Sequence, residues 1–505
     1  MIIPSDLQPV SGWSVSLVLL AAYVLYKFAR SYATRGPATP LAGPARTSWL
    51  FGAADVIRNA PNASNLYEVW ADKYGSVFRV PAPLGGTRVV LTDPKAIAHF
   101  YTHETFTYVQ TKLARVAIEN LFGRGLLWAE GESHKRQRKA ISPAFSNVAI
   151  RRMTSIFYDS VYKLRTNWDN QLASVDSAMI DVQKWMNHVS LDSVGIAGFS
   201  HDFGSLEGKH SAVADVFDRM GHIKPSPITA AAFFFGNTFP FLWRIPTPMR
   251  RLQMQLNRSM EEIATVLLEN TRREMQGTAE KGHEDKSIIG LLNESSHLGR
   301  LRDHIEHQEK QVRLREELKE QFPTSDPTWE QLTNGSGLHY LDAVVHEILR
   351  LHPPLAAAKD DVIPLSQPLR LPNGELTDHV AVRAGQHMTV PIGAINVSAA
   401  FWGADAREFR PERWLADDGI PKKAQEVQGH RHLLTFVDGP RMCLGRGFAL
   451  AEFKAVLGVL IKNYTFELPN GPETTIESVR GVLPRPRVAG EEGACVPMRV
   501  RRVDG

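Results

Sequence analysis

The chain has 505 residues, of which 43% are hydrophobic and 22% are charged, an ordinary composition for a globular protein with a sizeable core. Its net charge is only +4, and no basic run indicates a nucleic-acid partner, so the nucleic-acid-binding classes are excluded. Two cysteines in so long a chain are typical of a reducing compartment, where thiols remain available as ligands or nucleophiles.

The first predicted element is a transmembrane helix at residues 13–29. This segment is apolar except for its serines and Lys27, and its length is near the lower limit for crossing a bilayer. Basic residues lie at or beyond its end, at Lys27, Arg30 and Arg35, whereas Asp6 precedes it. The positive-inside rule therefore predicts that the rest of the chain is cytosolic. A cleaved signal peptide is the alternative, but the segment lacks a basic n-region and a small-residue cleavage site.

The domain organisation follows from this segment. Residues 1–36 are predicted to form a membrane anchor, and the prolines of residues 37–46 are predicted to form a stiff hinge. The remainder, residues 47–505, contains no low-complexity linker and no internal repeat. We therefore expect one large, lobed catalytic domain there.

The first elements after the hinge are a β-hairpin and a helix. The strand-like runs "SVFRV" and "TRVVLTD" flank the turn-forming "PAPLGG", which predicts the hairpin. "DPKAIAHFY" then predicts a helix with Asp93 as N-cap and Pro94 in the first turn. Helical periodicity continues in the strongly basic residues 132–141 and, with breaks, across residues 153–270.

The second half of the chain begins helical and ends with short strands. A helical run is predicted from residue 287 to about residue 321, and another ends at "LRLHPP", because a proline disfavours helix in the residue before it. Beyond Pro372 the chain reads as short strands and turns, followed by an aperiodic stretch at residues 401–435. The predicted fold class is mostly α, an α-dominated α+β protein.

The cysteine Cys443 lies in a loop rich in glycine and proline, "FVDGPRMCLG", just before an amphipathic helix predicted to begin near Gly445. A thiolate at a helix amino terminus has a lowered pKa and is prepared to ligate a metal. The glycines Gly439 and Gly445 allow a flat, bulky group to approach the backbone, and Arg441 lies within reach of an anionic edge of that group. The alternative is a buried structural cysteine in a turn.

Two pairs of charged residues upstream have helical spacing. Glu347 and Arg350 are three residues apart in a segment that is otherwise apolar, so they need a further partner, which Arg413 of "FRPERW" offers. His134 and Arg138 are one helical turn apart in "HKRQR" and can point the same way, as two donors that bind one carboxylate would.

In this order behind an anchor and a proline hinge, "HKRQR", "EILR", "PERW" and "FVDGPRMCLG" resemble the cytochrome P450 family of haem-thiolate monooxygenases, most closely its fungal microsomal members. The resemblance covers nearly the whole chain. It implies a P450-like helical domain with a small β-rich lobe, and haem b as the cofactor. The positions of the cysteine loop that match the family pattern are Phe436, Gly439, Arg441, Cys443 and Gly445.

The resemblance also implies a role for each of these residues. Cys443 would be the axial thiolate ligand of the iron, which favours O–O cleavage. The residues that would contact the cofactor around it are Phe436, Gly439, Gly445, Arg441, His134 and Arg138, the last three at the haem propionates. Glu347, Arg350 and Arg413 would form a buried ion cluster that braces the cysteine loop.

The implied activity is the insertion of one oxygen atom from O2 into a lipophilic small molecule, by hydroxylation or epoxidation, in secondary metabolism or xenobiotic oxidation. The chain has no flavin or nicotinamide domain, so the implied electron donor is an NADPH-dependent flavoprotein reductase. The implied location is the endoplasmic reticulum, with a single membrane pass, contact with membrane lipid and a cytosolic catalytic domain.

One element of the family pattern is missing from the sequence. Family members carry a long central helix over the distal haem face, with an acid and a threonine that relay protons to bound oxygen. No threonine occurs between Thr278 and Thr324, and about 45 Å of helix is lacking. Glu294 lies beside two serines, Ser295 and Ser296, but the preceding glycine is too far upstream. "HETF" at residues 103–106 has suitable letters in the wrong place. No distal catalytic residue is therefore identified.

A second shortening occurs in "LHPPLAAAKDDVIPL", where the family usually has a strand lining the pocket and an arginine, for which Lys359 is the nearest substitute. Two such losses between well-kept motifs are typical of skipped or misread exons. Without the central helix, we expect water to reach the iron and coupling to be poor. Two alternatives therefore stay open: a catalytically impaired haem-binding relative, and a haem isomerase or dehydratase that needs no O2 activation.

Other site patterns are weaker. "GRGFAL" lacks the third glycine of a dinucleotide loop and follows no strand-like run. His304 and His307 have a spacing suitable for metal ligands but lie among charged residues, which favours a solvated helix face. The sequence has no Gly-x-Ser-x-Gly elbow and no P-loop, so hydrolase and nucleotidase functions have no support.

Overall fold

The structure is a computed structural model, and several segments of the chain lie outside what it describes. The described residues are 22–23, 39–60, 62–83, 85–199, 201–209, 213, 216, 219, 228, 245–275, 307–334, 336–351, 361–479 and 485–503. The predicted anchor lies outside them except for Ala22 and Tyr23, and so do Lys359 and the acid and alcohol candidates at residues 294–296. Of the described segments, none forms a helix with the length and apolarity that crossing a bilayer requires.

Helices dominate the described chain. In chain order they are α1 (Ala54–Asn59), α2 (Ala63–Tyr74), α3 (Pro94–Thr102), α4 (Lys112–Phe122), α5 (Gly131–Ile141), α6 (Asn147–Gln171), α7 (Val182–Phe199), α8 (Pro248–Met275), α9 (Gln308–Gln321), α10 (Trp329–Asn334), α11 (His339–Leu351), α12 (Ile392–Val397), α13 (Ala399–Trp402), α14 (Lys422–Gln425) and α15 (Arg446–Asn463). Short 3₁₀ turns occur at Ser142–Phe145, Pro411–Trp414, Gly439–Arg441 and Gly471–Glu473.

The strands are short and form four small sheets among the described residues. They are β1 (Val77–Pro81), β2 (Thr87–Leu91), β3 (Ala178–Asp181), β4 (Asp361–Arg370), β5 (Leu376–Val382), β6 (His387–Thr389), β7 (Tyr464–Glu467), β8 (Ile476–Val479), β9 (Arg485–Val488) and β10 (Pro497–Arg502). The sheet orders are β1-β2-β6, β3-β10-β7, β4-β5 and β8-β9.

The described residues fall into two compact units. The first contains those up to residue 103, together with residues 107–109 and 361–394. Its β1 and β2 pair antiparallel as predicted, and β6 adds to β2 in parallel. The predicted helix cap is confirmed, because the Asp93 side chain accepts a hydrogen bond from the Ala96 N–H at the start of α3.

The second unit contains residues 104–106, 110–351 and 395–503, within the described ranges. The helix α15 lies in the core of this unit and packs against α6, α9, α10 and α11. The prediction that this helix is amphipathic is wrong, because almost every residue from Phe448 to Ile461 is buried, including the charged Glu452 and Lys454. A helix enclosed by others on all sides carries no polar stripe.

Two strands in the described chain are not predicted by the sequence pattern. β3 pairs antiparallel with β10, whose residues lie at the other end of the chain. β4 pairs with β5 and begins at Asp361, in the stretch where the sequence predicts a shortened connection. The prediction that a helix ends at "LRLHPP" is confirmed by α11, which ends at Leu351 within that string.

Candidate functional site

The backbone of the cysteine loop is closed by a hydrogen bond of 2.9 Å from the N–H of Cys443 to the carbonyl of Phe436. Gly439 has a φ of 66°, in the left-handed region, so the backbone conformation at this position favours glycine. Gly445 is the N-cap of α15 and has a φ of −80°, which other residues also adopt. The loop therefore ends at a helix amino terminus with the Cys443 thiol partly exposed.

The loop also contains a strained residue. Val437 has a φ of 52°, and a β-branched side chain rarely adopts a positive φ. Such a conformation costs on the order of 1–3 kcal/mol and persists only where the surrounding structure determines it. The hydrogen bond from the Val437 N–H to the carbonyl of Leu434, at 2.8 Å, is one such constraint.

The two cysteines differ in their surroundings, and neither forms a disulfide. Burial and the nearby Asp181 carboxylate raise the pKa of Cys495 to about 12, so its thiol stays protonated at neutral pH. Cys443 instead lies near the Arg138 guanidinium: burial lowers the pKa of Arg138, and the Cys443 thiolate opposes that effect. A thiolate is the form that binds metals, so Cys443 has the more suitable environment.

The carboxylate of Glu347 is the centre of a buried ion cluster. Its Oε1 accepts hydrogen bonds from Arg350 Nη2 at 2.8 Å and from Arg413 Nε at 2.9 Å. Its Oε2 accepts from Arg350 Nε at 3.0 Å and from the indole N–H of Trp414 at 2.9 Å. The exposed fractions of the Glu347, Arg350 and Arg413 side chains are 0%, 0% and 2%. The structure thus brings together the three residues that the sequence analysis groups.

The cluster is linked to the cysteine loop through α11. Thr435, one residue before Phe436, donates a hydrogen bond of 2.6 Å to the carbonyl of Leu349. The buried amide of Asn396 donates to Thr435 Oγ1 at 2.9 Å and accepts from the Leu434 N–H at 3.2 Å. Sequence reasoning misses Thr435 and Asn396, because their partners are distant in the chain. The start of the loop is therefore fixed to the helix that carries Glu347.

The helix α5 contributes His134 and Arg138, one turn apart. His134 is buried, and burial, together with the charges of Arg441 and Arg138, lowers its pKa to about 4. Its imidazole is therefore neutral at physiological pH. Arg138 and Arg441 each lie near enough to influence His134 electrostatically, so the structure groups the three residues predicted to bind an anionic edge.

The guanidinium of Arg441 is mostly buried and makes contacts that the sequence does not predict. It donates hydrogen bonds to the carbonyls of Ala129, at 2.6 Å, and Leu127, at 3.4 Å. The carboxylates of Glu104 and Glu130 lie 3.8 Å and 3.7 Å from it. Among the described residues, its Nε has no hydrogen-bond partner. One buried N–H is therefore available for an acceptor outside this set.

Glu104 is the most perturbed carboxyl of this region. Burial raises its pKa to about 7, against the effect of the Arg441 charge. Within the described chain its Oε2 has no hydrogen-bond partner. Glu104 belongs to "HETF", which the sequence analysis dismisses as a proton relay. Its position beside Arg441 could not be predicted, because the two residues are far apart in sequence.

A further arginine, Arg115, lies near Arg441 and is not singled out by the sequence pattern. Arg115 stacks on the ring of Trp128, with its guanidinium carbon 4.0 Å from the ring centroid. Its Nε is buried and has no hydrogen-bond partner among the described residues. Burial lowers the pKa of Arg441, and the nearby charge of Arg115 lowers it further.

These residues fit a haem group. Cys443 offers a sulfur ligand at a helix amino terminus, Arg138 and Arg441 lie near His134, and Arg115 lies near Arg441. Arg441 and Arg115 each have a buried Nε–H with no acceptor in the part of the chain that the structure describes, and an anionic propionate would supply one. A buried donor without a partner is costly, so an incoming carboxylate removes a penalty as well as adding a bond.

Residues 42–297 and 295–488 both match the family model described as Cytochrome P450. The chain belongs to the cytochrome P450 family. Its cofactor is accordingly haem bound through a cysteine thiolate, and it is a cytochrome P450 monooxygenase by family. P450 monooxygenases use O2, a redox-partner reductase and a lipophilic substrate. The P450 family match is divided into two segments that meet at residues 295–297.

Several fungal P450 monooxygenases are similar to this chain. Cytochrome P450 monooxygenase claQ of Ampulloclitocybe clavipes is 51% identical over 540 residues, covering 99% of this P450 and 100% of that protein. Cytochrome P450 monooxygenase 128 of Postia placenta is 30% identical over 544 residues, covering 97% of each chain. Ganoderic acid synthetase of Ganoderma lucidum is 28% identical over 524 residues, covering 90% of this chain and 94% of its own. All three alignments are longer than the 505 residues of this P450.

Proposed function

We propose that this P450 inserts one oxygen atom from O2 into a lipophilic small molecule, by hydroxylation or epoxidation, with Cys443 as the iron ligand. Thiolate-ligated haem iron supplies the O2 activation that this reaction needs. The name of one relative, ganoderic acid synthetase, supports a role in the making of secondary metabolites. Terpenoids, steroids and aromatic compounds are the substrate classes to test first.

The observation that carries the proposal is the grouping of Cys443, Arg138, His134 and Arg441 at one site. In this proposal, Cys443 holds the iron, while Arg441 and Arg138 neutralise the propionates. His134 supplies a further hydrogen-bond donor beside them. The buried cluster of Glu347 keeps the loop in place through α11, so the sulfur does not depend on loop rigidity alone.

The proposal includes a membrane location and a redox partner. Residues 13–29 anchor the chain in the endoplasmic reticulum with one pass, with the catalytic domain in the cytosol. The apolar sequence of this segment and the basic residues at its end support this topology. An NADPH-dependent flavoprotein reductase in the same membrane then delivers the electrons. Cell fractionation, followed by protease treatment of sealed microsomes, tests the location. Protection of the catalytic domain inside the vesicles would contradict it.

The iron ligand is tested by a carbon monoxide difference spectrum of the reduced, haem-loaded full chain. Wild type is expected to give the signal of thiolate-ligated haem, and Cys443→Ala is expected to lose it. Cys495→Ala is the matched control, because it removes the other thiol of the chain and is expected to keep the signal. A signal retained in Cys443→Ala would overturn the ligand assignment.

A second candidate function is that of a catalytically impaired haem-binding relative. Three observations favour it: the family match divides at residues 295–297, the alignment with claQ is longer than this chain, and no threonine occurs between Thr278 and Thr324. Such a protein would bind haem and take up electrons but release most of them as reduced oxygen. Measuring substrate oxidised per NADPH consumed in a reconstituted reductase system separates the two functions. A transcript that encodes the missing segment would explain the shortening as an exon loss.

A further inference from the structure

We propose that His99, His103 and Asp361 bind one divalent cation of the zinc class. The three side chains each offer a ligand atom, and these atoms all lie within 4.8 Å of one another. His99 lies in α3, His103 is its C-cap, and Asp361 is the first residue of β4. All three belong to the first compact unit, whereas the cysteine loop belongs to the second.

The helix places the two imidazoles side by side. His99 and His103 are four residues apart, so they lie on the same face of α3 at its carboxyl end. Their ring centroids are 4.3 Å apart and their planes differ by 34°. Two imidazoles at this helical spacing are a frequent half of a zinc site. His103 is exposed, which leaves a route for a hydrated ion to enter.

Surrounding hydrogen bonds orient the ligands as in many metal sites. His103 Nδ1 lies 2.8 Å from the carbonyl of His99. When Nδ1–H donates there, the lone pair of Nε2 is available for a cation. Tyr108 donates its hydroxyl to Asp361 Oδ2 at 2.9 Å, and the Val362 N–H donates to Asp361 Oδ1 at 2.8 Å.

The charge of the site also suits a cation. Burial alone would raise the pKa of Asp361, but the hydrogen bonds from His99, the Val362 N–H and Tyr108 lower it, so the carboxylate is ionised at neutral pH. Two imidazole nitrogens and one carboxylate oxygen are the ligand set of zinc, cobalt or nickel, whereas magnesium and calcium prefer oxygen ligands alone. A fourth position remains for water.

Binding would replace one existing contact. His99 Nε2 and Asp361 Oδ2 are 2.6 Å apart, which is a direct hydrogen bond. A cation between them takes the place of this hydrogen bond, with the ring proton of His99 on Nδ1, and the two atoms move apart by a fraction of an ångström to admit it. The cation would connect the end of α3 to the start of β4 in place of that hydrogen bond.

The test is equilibrium dialysis of the untagged, haem-loaded full chain against zinc, followed by elemental analysis. The iron content of the same sample measures the amount of bound haem separately from the zinc. Wild type is expected to bind one zinc ion per chain. His103→Ala, at an exposed position, and Asp361→Asn are expected to lose it. Tyr108→Phe is expected to weaken binding about tenfold, because it removes a hydrogen bond that orients the carboxylate.

A matched control is His379→Ala in the same unit. His379 Nδ1 lies 2.7 Å from the Asp378 carboxylate, and both side chains are exposed, but this pair offers only two ligands. His379→Ala is expected to bind zinc as wild type does. Failure of wild type to retain zinc, or equal retention by His103→Ala and wild type, would overturn the site and identify the cluster as a hydrogen-bonded network only.

Discussion

The hydroxyl of Thr435 donates a hydrogen bond of 2.6 Å to the carbonyl of Leu349. Leu349 lies between the two residues of the buried Glu347–Arg350 pair, and Thr435 directly precedes the cysteine loop. The loop that carries Cys443 is therefore attached to the ion cluster by a short chain of hydrogen bonds rather than by apolar packing alone.

Replacing Thr435 with valine keeps the shape of the side chain but removes this hydrogen bond and the one from Asn396. We expect a loss of about 1–3 kcal/mol in the free energy of unfolding, because buried polar groups are left without partners. Urea unfolding measures it. Thr333→Val is the control, because Thr333 is exposed and only donates to a carbonyl of its own helix. Equal effects of the two substitutions would contradict a bracing role for Thr435.

Glu347→Gln tests the ion cluster. The substitution leaves the guanidinium of Arg350 buried without a counter-charge and leaves Arg413 with Asp405 alone, and breaking a buried pair in this way costs about 3–5 kcal/mol. Glu330→Gln is the matched control, because Glu330 pairs with Arg151 on the surface, where such pairs contribute about 0–1 kcal/mol. Denaturant unfolding of the two variants measures the difference. A small effect of Glu347→Gln would show that the cluster is not a stabilising centre.

The stability of the second unit is expected to fall at acid pH because of His430. Its Nε2 lies 3.3 Å from His346 Nε2. Burial, with the charges of His346 and nearby arginines, lowers the pKa of His430 to about 3. An unfolded imidazole titrates near pH 6.5, so between that pH and pH 3 the unfolded chain binds a proton that the folded chain does not. Stability therefore falls as the pH drops through this window.

This pH dependence is measured by urea unfolding at about pH 7, which is above the window, and at about pH 5, which is inside it. His430→Gln is expected to lose less stability between the two conditions than wild type does. His339→Gln, at an exposed position, serves as the control and is expected to behave like wild type. An unchanged acid sensitivity of His430→Gln would refute this account.

Restoring the missing segment tests the second candidate function. We expect a chimera in which residues of claQ that have no counterpart in this chain are inserted between residues 295 and 297 to couple NADPH consumption to substrate oxidation much better than this chain does. Proton relays typically contribute on the order of a hundredfold or more to rate. Product formed per NADPH is the measurement. A chimera with an unchanged ratio, despite an unchanged carbon monoxide spectrum, would show that the segment is not what limits coupling.

Much of the local structure was predictable. The Asp93 cap and the β1–β2 hairpin depend on neighbouring residues, and both are confirmed. Of the candidate site, the sequence pattern groups Glu347 with Arg350 and Arg413, and the structure places them in contact. Helix spacing decides the first pair, and the need of a pair in an apolar segment for a further partner brings in Arg413.

The remaining features depend on contacts between distant parts of the chain. β3 forms because β10 pairs with it, and no local pattern in Ala178–Asp181 indicates this. The pairing of Glu104 with Arg441 was missed for the same reason. The prediction that α15 has a solvent-exposed face is wrong because neighbouring helices cover that face. The periodicity of a single segment does not show which other segments pack against it.

The complete enclosure of α15 has a consequence for motion near the iron ligand. Backbone amides of a helix covered on all sides are expected to exchange their hydrogens with solvent only when the whole unit opens. Cys443 lies two residues before the N-cap of this helix. We therefore expect the sulfur to lie next to a segment with very slow amide exchange, and we expect local motion near it to arise in the seven residues before it, from Phe436 to Met442.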